Sequence, residues 1–180
     1  MIDTSSGQMN NHYYSFNIGT AHVVSINSEF YYYTEYGWDQ IRAQYEWLER
    51  DLQEANKPQN RRHRPWIIFM SHKSMYCQTD DVLCSSIDGT GAYQRHRLRK
   101  GIKMHNKGEP VYGLEELLHR YEVDIQFYGH EHNYQRYFPV YDNRVFNGTK
   151  TNPYLNPREP VVVVTGSAVS YMSFELRISF

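Results

Sequence analysis

Between residues 12 and 70 the hydrophobic period changes twice, and that order narrows the fold more than any other feature of the chain. His12-Tyr-Tyr-Ser-Phe-Asn-Ile18 and Ala21-His-Val-Val-Ser-Ile26 flank Gly19-Thr20, so residues 12–18 and 21–27 are expected to pair as a hairpin. Over 39–56 the period lengthens. Ile41, Tyr45, Leu48, Leu52 and Ala55 recur on one helical face, while Asp39, Arg42, Glu46, Glu49 and Arg50 take the others. Asn56-Lys-Pro58 stops that helix. The run Arg64-Pro-Trp-Ile-Ile-Phe-Met70 is then short, bounded by proline and continuously apolar, the pattern of a strand buried on both faces. Strand, helix and strand in this order form a βαβ unit and predict an α/β sheet. A length of 180 residues suits one domain with a real core.

Residues 73–111 read as irregular. They hold Cys77, Cys84, the acidic pair Asp80-Asp81 and the basic run Arg95-His-Arg97-Leu-Arg-Lys100. The place expected for that run is a solvated helix face, because its compensating acids lie elsewhere on the chain. A helix at about 113–121 carries Leu114, Leu117, Leu118 and Tyr121 on one side. Strand 123–128 follows, then a hairpin turning at Asp142-Asn143. Pro160-Val-Val-Val-Val-Thr165 reads as a buried strand ending at Gly166. The aromatic group Tyr31-Tyr-Tyr33 suits packing far more often than stacking on a sugar or base.

A net charge of −1 favours neither nucleic acid nor an anionic membrane. No apolar run approaches the roughly 20 residues of a membrane span. The start, Met-Ile-Asp-Thr-Ser-Ser-Gly, has no signal-peptide pattern. Yet Asn147-Gly-Thr149 is a glycosylation sequon, Cys77 and Cys84 are close enough to bridge a short loop, and tyrosine occurs 17 times. Together these lean towards a secreted origin, and secretion without a signal implies a piece of a longer protein.

Chemistry concentrates in Tyr128-Gly-His-Glu-His-Asn-Tyr-Gln-Arg136, directly after a predicted strand. Histidines at i and i+2 on extended backbone point to one side, and imidazole is the commonest metal donor near neutral pH. Gly129 is expected to let the backbone turn sharply before the pair. His72 stands at the end of the apolar run 64–70. Two predicted core strands thus deliver His72, His130 and His132 to the strand C-termini, the edge where open α/β sheets bind ligands.

These residues resemble a family. Phe69-Met-Ser-His72 takes the place of a Val-x-x-His motif, and Lys73-Ser-Met-Tyr-Cys77 fits its continuation, which ends Pro-Met-Tyr-Cys. Gly129-His-Glu-His132 with Asn-Tyr-Gln-Arg136 fits Gly-His-x-His-x-Tyr-Glu-Arg, with Gln135 for Glu. Tyr13-Tyr-Ser, Pro139-Val-Tyr141, Val145-Phe-Asn-Gly148 and the stretch 160–168 fit as well. Over roughly residues 12–168 the chain resembles the purple acid phosphatases of the animal, long-chain type, within the calcineurin-like metallophosphoesterases. The resemblance implies an α/β fold, here a partial calcineurin-like β-sandwich flanked by helices with its N-terminal strands missing. It implies that residues 1–168 are a partial catalytic domain and 169–180 a divergent tail.

It also implies acid phosphatase activity on phosphate monoesters, using Fe(III) and a divalent zinc, iron or manganese. By carry-over His132 binds the iron, and His72 and His130 the divalent ion. Secretion or lysosomal residence follows in the same way, while glycosylation at Asn147 and a Cys77–Cys84 disulfide closing the loop beside His72 are readings of the residues themselves, the alternative for the cysteines being that both are reduced. The family's remaining ligands come from Gly-Asp-x-Gly, Gly-Asp-x-x-Tyr and Gly-Asn-His-Glu, none of which occurs here. The chain begins where the last of these would have ended, so those ligands are absent, not mutated. The alternative expectation is a non-catalytic product whose three histidines hold a single zinc. No leaving-group donor is assigned; His96 is a remote candidate, and His12, His22, His63, His105 and His119 are read as structural or surface residues.

Overall fold

In the computed structural model, residues 11–78, 90–103, 108–146, 151–166 and 176–178 are described. The hairpin pairs β1 (Tyr14–Ile18) with β2 (Ala21–Ser25) around Gly19-Thr20. A short helix α1 (Glu29–Tyr32) leads to α2 (Asp39–Ala55), and Pro58 opens α3 (Pro58–His63) at a position where its missing N–H costs nothing. Strand β3 (Trp66–Ser71) follows. Helix α4 (Thr90–Lys100) runs into β4 (Gly101–Ile102), which pairs with β5 (Val111–Tyr112). Then come α5 (Leu114–Arg120), β6 (Ile125–Tyr128), β7 (Tyr134–Arg136), the small hairpin β8 (Val140–Tyr141) and β9 (Arg144–Val145), β10 (Val161–Thr165) and β11 (Leu176–Ile178).

Seven strands make one mixed sheet in the order β1-β2-β3-β6-β10-β7-β11. Its centre is parallel from β2 through β3 and β6 to β10. The hairpin strand β1 and strand β7 run antiparallel to their neighbours β2 and β10. The α/β class and the flanking helices are therefore as expected, and the tail contributes residues 176–178 as an edge strand on β7.

The two faces of this sheet differ. Register puts Val24, Ile67, Phe69, Gln126, Tyr128, Val162 and Val164 on one side, and all are buried. They share a core with Ile41, Leu48 and Leu52 of α2 and Leu114, Leu117 and Leu118 of α5. Fully burying one such side chain contributes about 1.5–3 kcal/mol, so this layer is the main source of stability. The other side carries Ile18, Trp66 and Met70, which are 53%, 50% and 41% exposed. A cavity of about 1180 Å³ opens over it, lined by Trp66, Ile125, Phe127, Val161 and Val163. The strand at 66–71 stands where it was expected, but only its Ile67 and Phe69 face is buried. The helices cover one side, and among the described residues no core forms on the other.

Two further expectations change. The buried face of α2 includes Trp47 and Gln44, with Tyr45 only packed at its border. Gln44 is tolerated in the core because its amide answers both backbone polar groups of Asn27, accepting from its N–H at 2.8 Å and donating to its carbonyl at 3.1 Å. The span 73–111 is not irregular throughout, since α4 and the β4–β5 pair lie in it. Helix α4 escapes the hydrophobic pattern because among its described side chains only Leu98 is buried. Charge anchors it instead. Arg99 and Lys100 both reach the buried Glu115 at 3.0 Å, so the acids that were distant in sequence are adjacent in space.

Strand β3 is also tied at its start. The Asp124 carboxylate accepts from the Ile67 N–H at 2.7 Å and from Arg61 at 2.8 Å.

Candidate metal centre

Strands β3 and β6 are parallel neighbours, with Ser71 opposite Tyr128. Their C-terminal ends lie side by side, which carries His72 and His130 to one edge of the sheet. Gly129 N–H donates to the His72 carbonyl at 3.0 Å, stitching the two chain segments just where the histidines begin. His72 Nε2 and His130 Nδ1 are 3.1 Å apart, with the rings edge to face at 5.0 Å. Two imidazole nitrogens on one ion at about 2.0–2.1 Å stand roughly 3.0–3.4 Å apart. The spacing therefore suits a shared cation. His132, two residues further on, is exposed. Among the described residues no group of three or more His, Cys, Asp or Glu side chains is placed to hold a metal. The structure thus brings His72 and His130 together and leaves His132 out of that pair.

The sharp turn expected at Gly129 falls on His130 itself, whose φ is 65°. A left-handed conformation is uncommon for a residue with a Cβ and costs about 1 kcal/mol or more. Such strain clusters at functional positions. At Gly129 a Cβ would sit 3.5 Å from His72 Nδ1, an ordinary contact, so space does not require glycine there. Beside the histidine loop it is Gly166, at the end of β10, that space requires to be glycine, since a Cβ would lie 2.2 Å from the Glu131 carbonyl oxygen. β10 can end against the histidine loop only without a side chain there.

A cavity of about 450 Å³ opens beside His72, floored by Met70, Ser71, Tyr128, Gly129 and Thr165. Of the three histidines this cavity is lined by His72 alone, and the larger cavity on the open sheet face includes none of them.

The sequence reading missed three residues around the pair. Lys73 is only 6% exposed, and its Nζ stands 3.1 Å from His130 Nε2 and 4.8 Å over the Tyr32 ring. Burial pushes the Tyr32 phenol up to about 12, with Arg95 opposing and Glu29 adding. That ring therefore stays neutral beneath the ammonium. Glu131, between the two histidines, is buried. Gln135 is buried where the resemblance has glutamate. Its amide oxygen accepts from the Gln78 N–H at 2.9 Å and from the Tyr137 hydroxyl, and its nitrogen donates to Asn133 at 2.9 Å. It ties the segment after His72 to β7. The only advance signal for Lys73 was its place beside His72.

A second polar cluster holds the same segment from the other side. Glu115 accepts from Arg99 at 3.1 and 3.0 Å, from Lys100 at 3.0 Å, from the Asp142 N–H at 3.2 Å and from the Tyr76 hydroxyl. Burial pushes its carboxyl up, but the hydrogen bonds from Arg99, Tyr76 and Lys100 outweigh that and leave it below its usual value. Cys77, next to Tyr76, is disulfide-bonded. The chain's other cysteine, Cys84, lies outside the described residues, as do the sequon Asn147 and the acidic pair Asp80-Asp81.

The chain belongs to the calcineurin-like phosphoesterase family, whose sequence model matches residues 3–134. Within it the chain is similar to animal proteins named acid phosphatase type 7. It is 48% identical to the Danio rerio protein and 44% to the Homo sapiens protein, each over 87% of this chain. It spans 34% and 33% of their lengths, about a third in each case. A solved purple acid phosphatase from yellow lupin (Lupinus luteus) seeds, PPD1, superposes with a TM-score of 0.59 at 27% identity. That match covers 93% of this chain and 25% of the lupin chain.

Proposed function

We propose that this chain is part of a metal-dependent acid phosphatase that hydrolyses phosphate monoesters at a dinuclear centre. The observation that carries the reading is the 3.1 Å approach of His72 Nε2 to His130 Nδ1 at the ends of adjacent parallel strands. In this reading the pair holds a divalent zinc, iron or manganese ion, and His132 binds Fe(III). Bound cations would neutralise the phosphate and activate water for attack. The chain's own part is to hold two imidazoles at chelating distance, beside a cavity open to a small ester. The names of the animal relatives and of the lupin structure support the assignment. In keeping with that class, secretion or lysosomal residence, glycosylation at Asn147 and a Cys77–Cys84 disulfide complete the proposal. Among the described residues no helix is long and apolar enough to cross a membrane.

A second reading concerns these 180 residues alone. The sequence lacks the aspartate, tyrosine and asparagine motifs that complete the family's ligand set, and at the site the structure gathers imidazoles. On that reading the chain binds zinc weakly and hydrolyses little. Purified protein assayed with p-nitrophenyl phosphate at acid pH, with and without iron and zinc, separates the two. Robust metal-dependent turnover that His130→Ala abolishes supports a self-sufficient enzyme. Zinc binding without turnover supports the second reading.

A further inference from the structure

We propose that Gln135 is a positioning residue for the metal centre: its side chain fixes the exit of the loop 129–133 against the segment that carries His72. The inference rests on the histidine pair being a metal site and adds what holds its two halves in register. Gln135 is only 3% exposed. It stands in β7, whose backbone is paired on both sides, with Val164 of β10 opposite it on one and Arg177 of β11 on the other. Three partners meet its amide. The oxygen accepts from the Gln78 N–H at 2.9 Å and from the Tyr137 hydroxyl, and the nitrogen donates to Asn133 Oδ1 at 2.9 Å. A backbone N–H can only donate, so the Gln78 contact decides which end of the amide is the oxygen. Asn133 follows His132 directly. One buried amide on a rigid strand therefore joins the segment after His72 to the residue after His132.

The loop needs such a tie. His130 has a φ of 65°, and a left-handed residue with a Cβ persists only where its surroundings over-determine it. At the loop's entry the constraint is backbone. Gly129 N–H donates to the His72 carbonyl at 3.0 Å, and Glu131 N–H turns back to the Gly129 carbonyl at 2.8 Å. At the exit Asn133 is half-buried, and among the described residues its side chain is met by the Gln135 amide. Without that amide the loop can pivot about Gly129, carrying His130 and His132 with it relative to His72. The Gln78 N–H loses its acceptor at the same time, so the segment after His72 loosens too. A metal site tolerates about 0.5 Å of such movement. Gln135 acts through Asn133 and Gln78, not on either imidazole.

The test is zinc affinity of the full 180-residue chain, read by competition with a chromophoric chelator, together with amide hydrogen exchange of the metal-free protein. Gln135→Met keeps the bulk and removes all three hydrogen bonds. It should weaken zinc roughly 10- to 100-fold, the scale of outer-shell effects on metal sites. Exchange across 129–133 should quicken while β3, β6 and β10 stay protected. Asn133→Ala cuts the tie at its histidine end, at a half-buried position, and should reproduce the zinc loss; it decides the matter if Gln135→Met fails to fold. Gln135→Glu should bind zinc as wild type does, because the Asn133 amide can turn over and donate to a carboxylate. Ser15→Ala, which removes a buried hydrogen bond to Asp51 in the edge strand β1, should lower stability and leave zinc affinity alone. Wild-type zinc affinity in Asn133→Ala, or zinc loss with unchanged exchange at 129–133, overturns the role of Gln135. So does a Gln135→Glu as weak as Gln135→Met. If His130→Ala leaves zinc binding intact, the histidine-pair reading falls, and this inference with it. Loss in His130→Ala with none in Asn133→Ala overturns this inference alone.

Discussion

Two polar clusters grip the segment 72–78 from opposite ends, and they are built in opposite ways. Around Glu115, one buried carboxylate meets a guanidinium, an ammonium, a phenol and a backbone N–H. Around His130, two imidazoles and an ammonium meet one another. The first cluster is closed: every charge is answered from within the chain. The second gathers nitrogens around one contact, with a left-handed backbone at its centre. The first cluster fixes where the loop runs, and the second is where the proposed metal would sit. If that contrast is right, removing parts of the first should cost stability, while removing parts of the second should cost binding and even return stability.

The largest effect is expected for Glu115→Ala, which leaves Arg99 and Lys100 without their buried partner. Urea unfolding should show a loss of about 3–5 kcal/mol, the cost of breaking a buried ion pair from one side. A loss within 1 kcal/mol would mean the cluster is not the clamp described. The same carboxylate sets a pH dependence. Its pKa is lowered in the folded protein, so its contribution is fully present above the unfolded value of about 4.3. It is lost as pH falls through the lower folded value. Wild type should weaken over that acid window, and Glu115→Gln, already weaker, should show a flatter profile there.

Gly166→Ala comes next. A Cβ 2.2 Å from the Glu131 carbonyl forces β10 or the histidine loop to move. The expected cost is about 1–3 kcal/mol, with zinc binding weakened in parallel. Retained zinc affinity would show that the loop position is not set by this contact. His130→Gly should act in the other direction, relieving the left-handed backbone and raising stability by about 1 kcal/mol while zinc affinity falls. Thermal melts with and without zinc would read both. Least of all, His72→Ala at an exposed position should change stability by no more than about 0.5 kcal/mol, with its effect confined to zinc.

Where the sequence was readable, periodicity or turn chemistry carried the information. The Gly19-Thr20 hairpin, the leucine faces of α2 and α5, the valine run of β10 and the Asp142-Asn143 turn all follow from local pattern. The strand-end histidines were readable too, because the C-terminal edge of a parallel sheet is a property of topology. What escaped depended on contacts across the fold. Helix α4 hangs on Leu98 and on the distant Glu115, so no helical stripe announces it. Gln44 looks misplaced in a core until Asn27 is beside it. The left-handed residue is His130 and not the glycine before it, because loop closure, not propensity, decides where the turn falls. The contact of Lys73 with His130, 57 residues away, exists only once the fold brings the two together.

The unequal faces of the sheet have a consequence for how its strands find their alignment. In most sheets a slip of one residue turns oily side chains outward and is penalised at once. Strand β3 offers little such penalty, since Trp66, Ile68 and Met70 are as apolar as Ile67 and Phe69. Polarity therefore does not encode its alignment. That information sits at its start, where one carboxylate, Asp124, accepts both the Ile67 N–H and the Arg61 guanidinium. A single polar residue thus acts as the index mark that brings His72 out level with His130.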